Sequence, residues 1–130
     1  AAVLPLFVTA ALNGRSPTIY GDGTQSRDFT YVANVVHGNL LAFDADPSAA
    51  GRVYNVALNG QVTLLELYNG ICRLTGSSAR PYFEPARPGD VMHSRASIEL
   101  AQKYLGFDPV VDFEDGLERT VASYSRVLVS

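Results

Sequence analysis

The β-prone segments of this chain are short, and this limits its fold more than any other feature of the sequence. Four such segments occur between helical patterns, and none is longer than six residues. Helices and short strands in alternation are typical of an α/β unit. We see no internal repeat, low-complexity tract or linker, so the sequence predicts one domain over residues 1–130. The four β-prone segments are residues 18–20, 28–31, 52–57 and 80–84.

Apolar periodicity and end signals predict five helices around these segments. The third has the clearest signals, because Thr63 and Glu66 form a capping-box pattern and Gly76 ends the helix. Ser97 and Asp112 are candidate caps of the last two helices. The predicted helices are residues 6–13, which follow Pro5, then 34–44, 64 to about 75, 97–105, and 113 to about 127.

Composition excludes several classes of protein. The 130 residues are 47% hydrophobic and 18% charged, which is a globular profile. The net charge of −3 provides no basic field for nucleic acid, and no apolar run is long enough to predict a membrane span. The single cysteine, Cys72, lies in an apolar helical pattern and suits a reducing compartment, so we expect a cytoplasmic location. The chain begins with Ala and shows no signal peptide, and we expect it to be a piece of a longer protein.

The segment of residues 17–29 has two glycines that suggest a dinucleotide-binding loop. We reject that interpretation, because the third glycine of the motif is absent and the preceding strand has barely three residues. The residues from Arg27 onward are also a poor start for a phosphate-binding helix. A turn between two short strands explains Gly21 and Gly23, but it does not explain why Arg27 follows them.

A second segment, residues 87–94, combines a stiff turn with charged side chains. Pro88 and Gly89 favour a tight loop that holds Arg87 and Asp90 close together. A guanidinium group suits a phosphate, and a carboxylate can accept both hydroxyl hydrogens of a cis-diol. The two residues therefore fit a nucleotide, although these residues alone favour the simpler interpretation of an exposed ion pair of little energetic value.

Taken together, these motifs resemble the NAD-dependent epimerase/dehydratase family of extended short-chain dehydrogenases/reductases. PTIYGDGTQSRDFTYVANVV, RVYNVA, the TLLEL helix and RPGDVMHS occur in this order along the chain, and the nearest resemblance is to UDP-glucose and UDP-N-acetylglucosamine 4-epimerases. The resemblance covers essentially the whole chain. It implies the small C-terminal substrate-binding domain of such an enzyme, with short strands and about five helices. It also implies that the N-terminal Rossmann half, which binds NAD, is absent from this chain.

The resemblance implies a UDP-sugar as the ligand and assigns its contacts. Arg27 and Arg87 would hold the diphosphate, and Asp90 would bind the ribose hydroxyls. Other residues would line the uracil, partly through backbone groups, as an added strand does. They are Thr18, Ile19 and Tyr20.

Three further assignments follow from the same resemblance. Val3, on the entry segment, would border the base. Asn55 is a weaker candidate for ligand contact, since a polar residue between two apolar ones also suits a surface position. Ser94 stands where some family members have a bulky tyrosine, so it would leave room for an N-acetyl group on the sugar.

The catalytic residues of the family do not occur in this sequence. The family reaction uses a Tyr-x-x-x-Lys pair, in which the tyrosine takes the proton of a sugar hydroxyl. None of the seven tyrosines has a lysine four residues later, and the single lysine, Lys103, is adjacent to Tyr104. The two histidines, His37 and His93, are far apart and have no cysteine partner, so they indicate no metal site. We therefore expect this chain to have no catalytic residue and to bind no cofactor, with NAD bound by the full-length parent.

Three functions remain open. The favoured one is the UDP-sugar-binding portion of an NAD-dependent 4-epimerase, an isomerase of nucleotide-sugar metabolism, with this portion catalytically incomplete on its own. The second is a free-standing nucleotide-sugar-binding module without catalysis. The third is a fragment of a related nucleotide-sugar dehydratase, decarboxylase or reductase. An apolar face that packs on the missing half would be exposed in this chain, so we also expect self-association.

Overall fold

A computed structural model describes residues 2–129 of the chain and the side chains of residues 2–128. That part of the chain contains five helices and four short strands, with one 3₁₀ turn at Pro47–Ala49. The helices are α1 (Val3–Leu12), α2 (Val32–Phe43), α3 (Leu64–Thr75), α4 (Glu99–Leu105) and α5 (Phe113–Val129). The strands are β1 (Thr18–Tyr20), β2 (Ser26–Arg27), β3 (Val62–Thr63) and β4 (Tyr82–Glu84).

The strands form two small ladders. β1 pairs with β4 in parallel, with Thr18 opposite Tyr82. β2 pairs with β3 antiparallel, and on its other side Ser26 forms a single parallel bridge to His93. Ladders of two and three residues bury little apolar surface by themselves, so the helices supply most of the core.

The first of two hydrophobic cores lies among α1, β1, α3 and α5. Its buried side chains come from all four elements, and the rings of Phe7 and Tyr68 meet edge to face with centroids 5.5 Å apart. α3 and α5 pack closely at Gly70, where a Cβ atom would lie 2.9 Å from the Leu117 side chain. The buried residues of this core are Phe7, Val8, Ala11, Ile19, Leu64, Leu67, Tyr68, Ile71, Leu117 and Val121.

The second core is smaller and lies beside α2 and α4. Ile98, Ala101, Leu105 and Phe107 are buried there with residues of the segment between α2 and β3. Gly38 of α2 admits that segment, since a Cβ atom on it would lie 2.8 Å from the Val56 side chain. Much of the apolar surface of α2 points away from this core into solvent.

Asn34 joins the two cores. It lies on α2, is fully buried, and makes three side-chain hydrogen bonds to the segment that leads into α5. Its Nδ2 donates to the Val111 carbonyl at 2.7 Å, and its Oδ1 accepts from the Val110 and Val111 N–H groups at 2.8 and 3.0 Å. A buried amide held by three hydrogen bonds fixes the position of α2 relative to the segment that begins α5.

The structure confirms the five predicted helices, with three starts moved. α2 begins at Val32, two residues before the predicted start at residue 34. Thr63 and Glu66 form the predicted capping box, and Asp112 accepts from the Asp115 N–H at 2.8 Å. α1 begins at Val3 rather than after Pro5, because a proline in the first helical turn loses no hydrogen bond. α4 begins at Glu99, whose N–H lies 3.4 Å from the Ser97 hydroxyl, so the predicted start at residue 97 is two residues early.

Two β predictions are corrected. Residues 52–57 form no strand, because no strand of the described residues lies beside them; Val53 is 86% exposed, and the Tyr54 hydroxyl instead donates to the Ala49 carbonyl. Pairing near residues 28–31 occurs earlier, at Ser26–Arg27, where β3 and residue 93 supply partners. The remaining β predictions are confirmed, with β4 starting two residues later than expected.

Replacing Asn34 by Ala should destabilise the protein strongly. The substitution leaves two N–H groups and one carbonyl of residues 110 and 111 without their partner, which we expect to lower the free energy of unfolding by about 3 kcal/mol. Urea denaturation measures this change. The matched control is Asn39→Ala on the exposed face of the same helix, with an expected effect within about 0.5 kcal/mol. Equal stability of the two variants would contradict the role of Asn34.

The stability of the protein should fall in strong alkali through Tyr68. Burial, followed by the neighbouring Cys72 thiol, raises the pKa of Tyr68 from 10.0 to about 12, and its hydroxyl donates to the Ala79 carbonyl at 2.6 Å. Between these two pH values the unfolded chain loses the proton that the folded protein retains, so the free energy of unfolding decreases as pH rises. Denaturation at several pH values measures the slope. Tyr68→Phe should make it shallower, and an unchanged slope would refute the assignment.

Candidate functional site

A cleft of about 280 Å³ opens beside α1 and β1, at the edge of the first core. Its lining includes seven of the nine residues that the sequence singled out, from segments far apart in the chain. The apolar part is formed by Leu6, Phe7 and Leu64, and the polar part by side chains from β2 and residues 87–90. The seven residues are Val3, Thr18, Ile19, Tyr20, Arg27, Arg87 and Asp90.

One edge of β1 is available to this cleft. On the β4 side, the Pro17 carbonyl accepts from the Tyr82 N–H at 2.8 Å, and the Gly21 N–H donates to the Glu84 carbonyl at 2.8 Å. Peptide groups alternate along a strand, so those of Thr18 and Tyr20 point to the opposite side. Gln25 Nε2 donates to the Tyr20 carbonyl at 2.6 Å. Among the described residues, the N–H and carbonyl of Thr18 and the N–H of Tyr20 therefore remain on this edge, as two donors and one acceptor.

β2 holds Arg27 at the cleft. Its residue Ser26 is fixed on the side away from β3, where its N–H donates to the Met92 carbonyl at 2.9 Å and its carbonyl accepts from the Ser94 N–H at 3.0 Å. Arg27 Nη1 donates to the Ser26 carbonyl at 2.7 Å and approaches the Met92 carbonyl at 3.5 Å. The remaining guanidinium N–H groups have no protein partner among residues 2–129. A half-buried arginine held in this way can donate to an anion in the cleft.

The turn after β4 brings Arg87 and Asp90 to the same cleft. Gly89 adopts a φ of 84°, and the Asp90 N–H lies 3.2 Å from the Arg87 carbonyl, so the backbone closes a tight turn. The Arg87 guanidinium stacks on the Tyr20 ring, 3.7 Å from its centroid. Within the described part of the chain, this side chain makes no ion pair or hydrogen bond. The cleft thus combines two arginines, one carboxylate and one strand edge.

Two of the nine candidate residues do not line this cleft. Asn55 lies beside the second core, where its Nδ2 donates to the Ser97 carbonyl at 3.2 Å. Ser94 is exposed, and its backbone N–H is bonded to Ser26 next to the cleft. The ligand roles assigned to Asn55 and Ser94 therefore stay predictions, without support from the cleft geometry.

Sequence reasoning gave no role to two residues that shape the site. Gln25 is 8% exposed, lines the cleft and bonds to β1. Asp28 follows Arg27 and serves the opposite side, where its carboxylate accepts from the Leu58 and Gly60 N–H groups at 3.1 and 3.2 Å. The alternation of side chains along an extended segment could have indicated this division between Arg27 and Asp28.

The glycine-containing loop before β2 is a turn, as expected. The Asp22 carboxylate accepts from the Thr24 N–H at 2.9 Å and from its hydroxyl at 2.6 Å; the hydroxyl bond is the main reason why the pKa of Asp22 is lowered. The loop leads into β2 rather than a helix, and a Cβ atom on Gly23 would lie 2.6 Å from Leu65. This loop therefore does not fit the phosphates of a dinucleotide such as NAD.

Residues 2–129 lack two further kinds of feature. They contain no cluster of three or more side chains suited to a metal ion. None of their helices has the length and apolar character that crossing a membrane requires.

Comparison with known proteins places these observations in a family. Residues 1–57 match the model of the NAD dependent epimerase/dehydratase family. The UDP-glucose 4-epimerase of Thermotoga maritima, solved with UDP-glucose, superposes with a TM-score of 0.91 at 34% identity, over 98% of this chain and 40% of that one. The UDP-N-acetylglucosamine 4-epimerase of Methanobrevibacter ruminantium, in complex with UDP-N-acetylmuramic acid, gives 0.88 at 40% identity over the same shares. A dTDP-glucose 4,6-dehydratase from an Actinoplanes species is 38% identical over 94% of this chain and 38% of its own length.

The fold is thus that of a piece of the extended short-chain dehydrogenases/reductases, as the sequence predicted. The chain belongs to the NAD-dependent epimerase/dehydratase family. It spans about 40% of the length of these relatives.

Proposed function

We propose that this chain is the nucleotide-sugar-binding part of an NAD-dependent UDP-sugar 4-epimerase. The observation that carries the proposal is the cleft in which two arginines, one aspartate and a free strand edge meet. Each of these groups suits a different part of a nucleoside diphosphate sugar. The two epimerase relatives are named for UDP-sugars, and one of them was solved with UDP-glucose.

The diphosphate would lie between the two arginines. Arg27 is held by backbone carbonyls, and Arg87 is held against the Tyr20 ring, so both guanidinium groups are oriented before a ligand arrives. Each charge-assisted hydrogen bond to a phosphate oxygen contributes about 1.5–3 kcal/mol. Asp90 lies on the same turn as Arg87, in reach of the ribose hydroxyls that follow the phosphate.

The base would lie along β1. The Tyr20 N–H and the Thr18 carbonyl present a donor and an acceptor on one edge, and the imide group of uracil has matching groups. Val3 of α1 lines the same cleft and supplies an apolar wall for the ring. The base would then extend the sheet as an added strand does.

In the whole protein, NAD would supply the oxidation and reduction at C4 of the sugar. The residues of this chain would bind the nucleotide, orient the sugar toward the NAD-binding half and contribute no proton transfer. This division follows from the sequence, in which no tyrosine is paired with a lysine.

Two alternatives differ in class. The family relatives include a dehydratase, so a related nucleotide-sugar reaction is the nearer one. Asp90, directly after Gly89, favours the epimerase, since dehydratase-like relatives tend to have histidine there. A free-standing binding module is the other alternative, and a reading frame without an NAD-binding half upstream of Ala1 would favour it.

An apolar stripe on α2 supports a second body that packs on this chain. Val32, Val36, Leu40 and Phe43 lie on one face of the helix and are 62%, 51%, 61% and 87% exposed. Exposed contiguous apolar residues of this kind mark an interaction surface. The NAD-binding half of the parent protein is the occupant we propose, and in its absence the chain would self-associate.

The chain should bind UDP in a way that depends on both arginines. Arg27→Ala and Arg87→Ala should each weaken binding about 10- to 100-fold, because each removes charge-assisted bonds to the diphosphate. Calorimetry with UDP, UDP-glucose and UDP-N-acetylglucosamine measures this change. Arg126→Ala, at an exposed position of α5, is the matched control and should bind as the unaltered chain does. Binding that ignores the loss of Arg27 and Arg87 would remove the site assignment.

The chain should form oligomers through the α2 stripe. Light scattering over a range of concentrations should show a mass above that of the monomer, and a charge within the stripe, in Leu40→Glu, should restore the monomer. Gln102→Glu adds the same charge at an exposed position of α4 and should leave the mass unchanged. A monomer at high concentration would count against a docking role of the stripe.

A further inference from the structure

Gln25 lines the proposed nucleotide site, and none of the ligand contacts proposed for that site involves it. It immediately precedes β2, is 8% exposed, and lines the cleft together with Tyr20, Arg87 and Asp90. The same four residues also line an adjoining cleft of about 270 Å³. Gln25 therefore lies where the two clefts meet.

The side-chain amide of Gln25 can adopt only one orientation. Its Nε2 donates to the Tyr20 carbonyl at 2.6 Å, and the reverse orientation would bring two oxygens together. As a result Oε1 is buried and has no hydrogen-bond partner among residues 2–129. Folded proteins pair nearly all buried acceptors, and a methionine would fill this space without leaving one unpaired. The amide is thus present at a cost to stability, which is typical of a functional position.

The bond from Gln25 changes what β1 offers to a ligand. Without it, the free edge would present two carbonyls and two N–H groups, from Thr18 and Tyr20; with it, the Tyr20 carbonyl is occupied and one carbonyl remains. The N3–H of uracil lies between two carbonyl acceptors, whereas cytosine has an amino donor at position 4. A free Tyr20 carbonyl would accept a hydrogen bond from that amino group. Because Gln25 occupies this carbonyl, the edge favours uracil over cytosine.

We propose that Gln25 is a positioning residue that sets the base specificity of the site, by occupying the Tyr20 carbonyl and holding β1 against β2. The selected ligands are nucleoside diphosphates with an imide base, of the uracil or thymine type. The proposal rests on the proposed function, because it assumes that the base lies along β1. The UDP and dTDP in the names of the relatives agree with this class of base.

The test compares UDP with CDP, which differ only in the base. Calorimetry on the unaltered chain should show a preference for UDP of about tenfold or more. Gln25→Met fills the same space without the donor. We expect it to weaken UDP binding about tenfold and CDP binding less, so that the preference shrinks. Gln102→Met, at an exposed position of α4, is the matched control and should keep both affinities.

The ratio of the two affinities separates specificity from general damage. Loss of fold or of the arginines would weaken UDP and CDP by the same factor, and that result would overturn the proposal. An unchanged ratio in Gln25→Met, or equal binding of UDP and CDP by the unaltered chain, would also overturn it while leaving the proposed function intact. Absence of UDP binding by the unaltered chain would instead remove the proposed function, and this inference with it. If Gln25→Met does not fold, the ratio of UDP to CDP affinity is measured in Gln25→Glu instead. A carboxylate cannot donate to the Tyr20 carbonyl, so the preference for UDP should shrink in this variant as well.

Discussion

The side-chain amide of Asn34 connects the two halves of the packing. The ladders cannot do this, because they form two separate two-stranded sheets of three and two residue pairs. Asn34 makes three side-chain hydrogen bonds to Val110 and Val111, directly before α5. α5 in turn packs on α3 and α1, whose residues form the apolar part of the cleft. One buried polar group therefore determines how α2 lies relative to the site.

Strands this short need support from side chains. β1 has three residues and β2 has two, so backbone ladders alone fix their positions only weakly. Three side chains within residues 25–28 supply this support. Gln25 bonds to β1, Arg27 bonds to neighbouring carbonyls, and Asp28 accepts from residues 58 and 60. The motif that identified the family is therefore also a structural junction. Residues 25–28 thus hold both the side chains proposed for ligand binding and the neighbouring backbone in place.

The parts of the fold that were predictable are those with local causes. The capping box at Thr63, the cap at Asp112 and the left-handed Gly76 each depend on a few neighbouring residues, and the structure has all three. The strand predicted for residues 52–57 was wrong, because a strand forms only beside a partner strand. Apolar alternation in the sequence does not reveal whether such a partner is present. The cleft shows the same limit. No spacing rule brings Arg27 and Arg87 together across sixty residues; the family resemblance did so, while Gln25, a lone glutamine, gave no signal.

The register of the parallel pairing between β1 and β4 also fixes the distance between β1 and the turn that follows β4. β4 ends at Glu84, three residues before Arg87, while β1 carries the edge that would meet the base. A slip of one residue along such a ladder would move the arginine by about 3.3 Å relative to that edge. In the proposed site, backbone hydrogen bonds would thus set the span between base and diphosphate, and side-chain substitutions leave these bonds in place. Lengthening the link between β4 and Arg87 by a single residue would reset that span, and so change the length of ligand that the site accommodates.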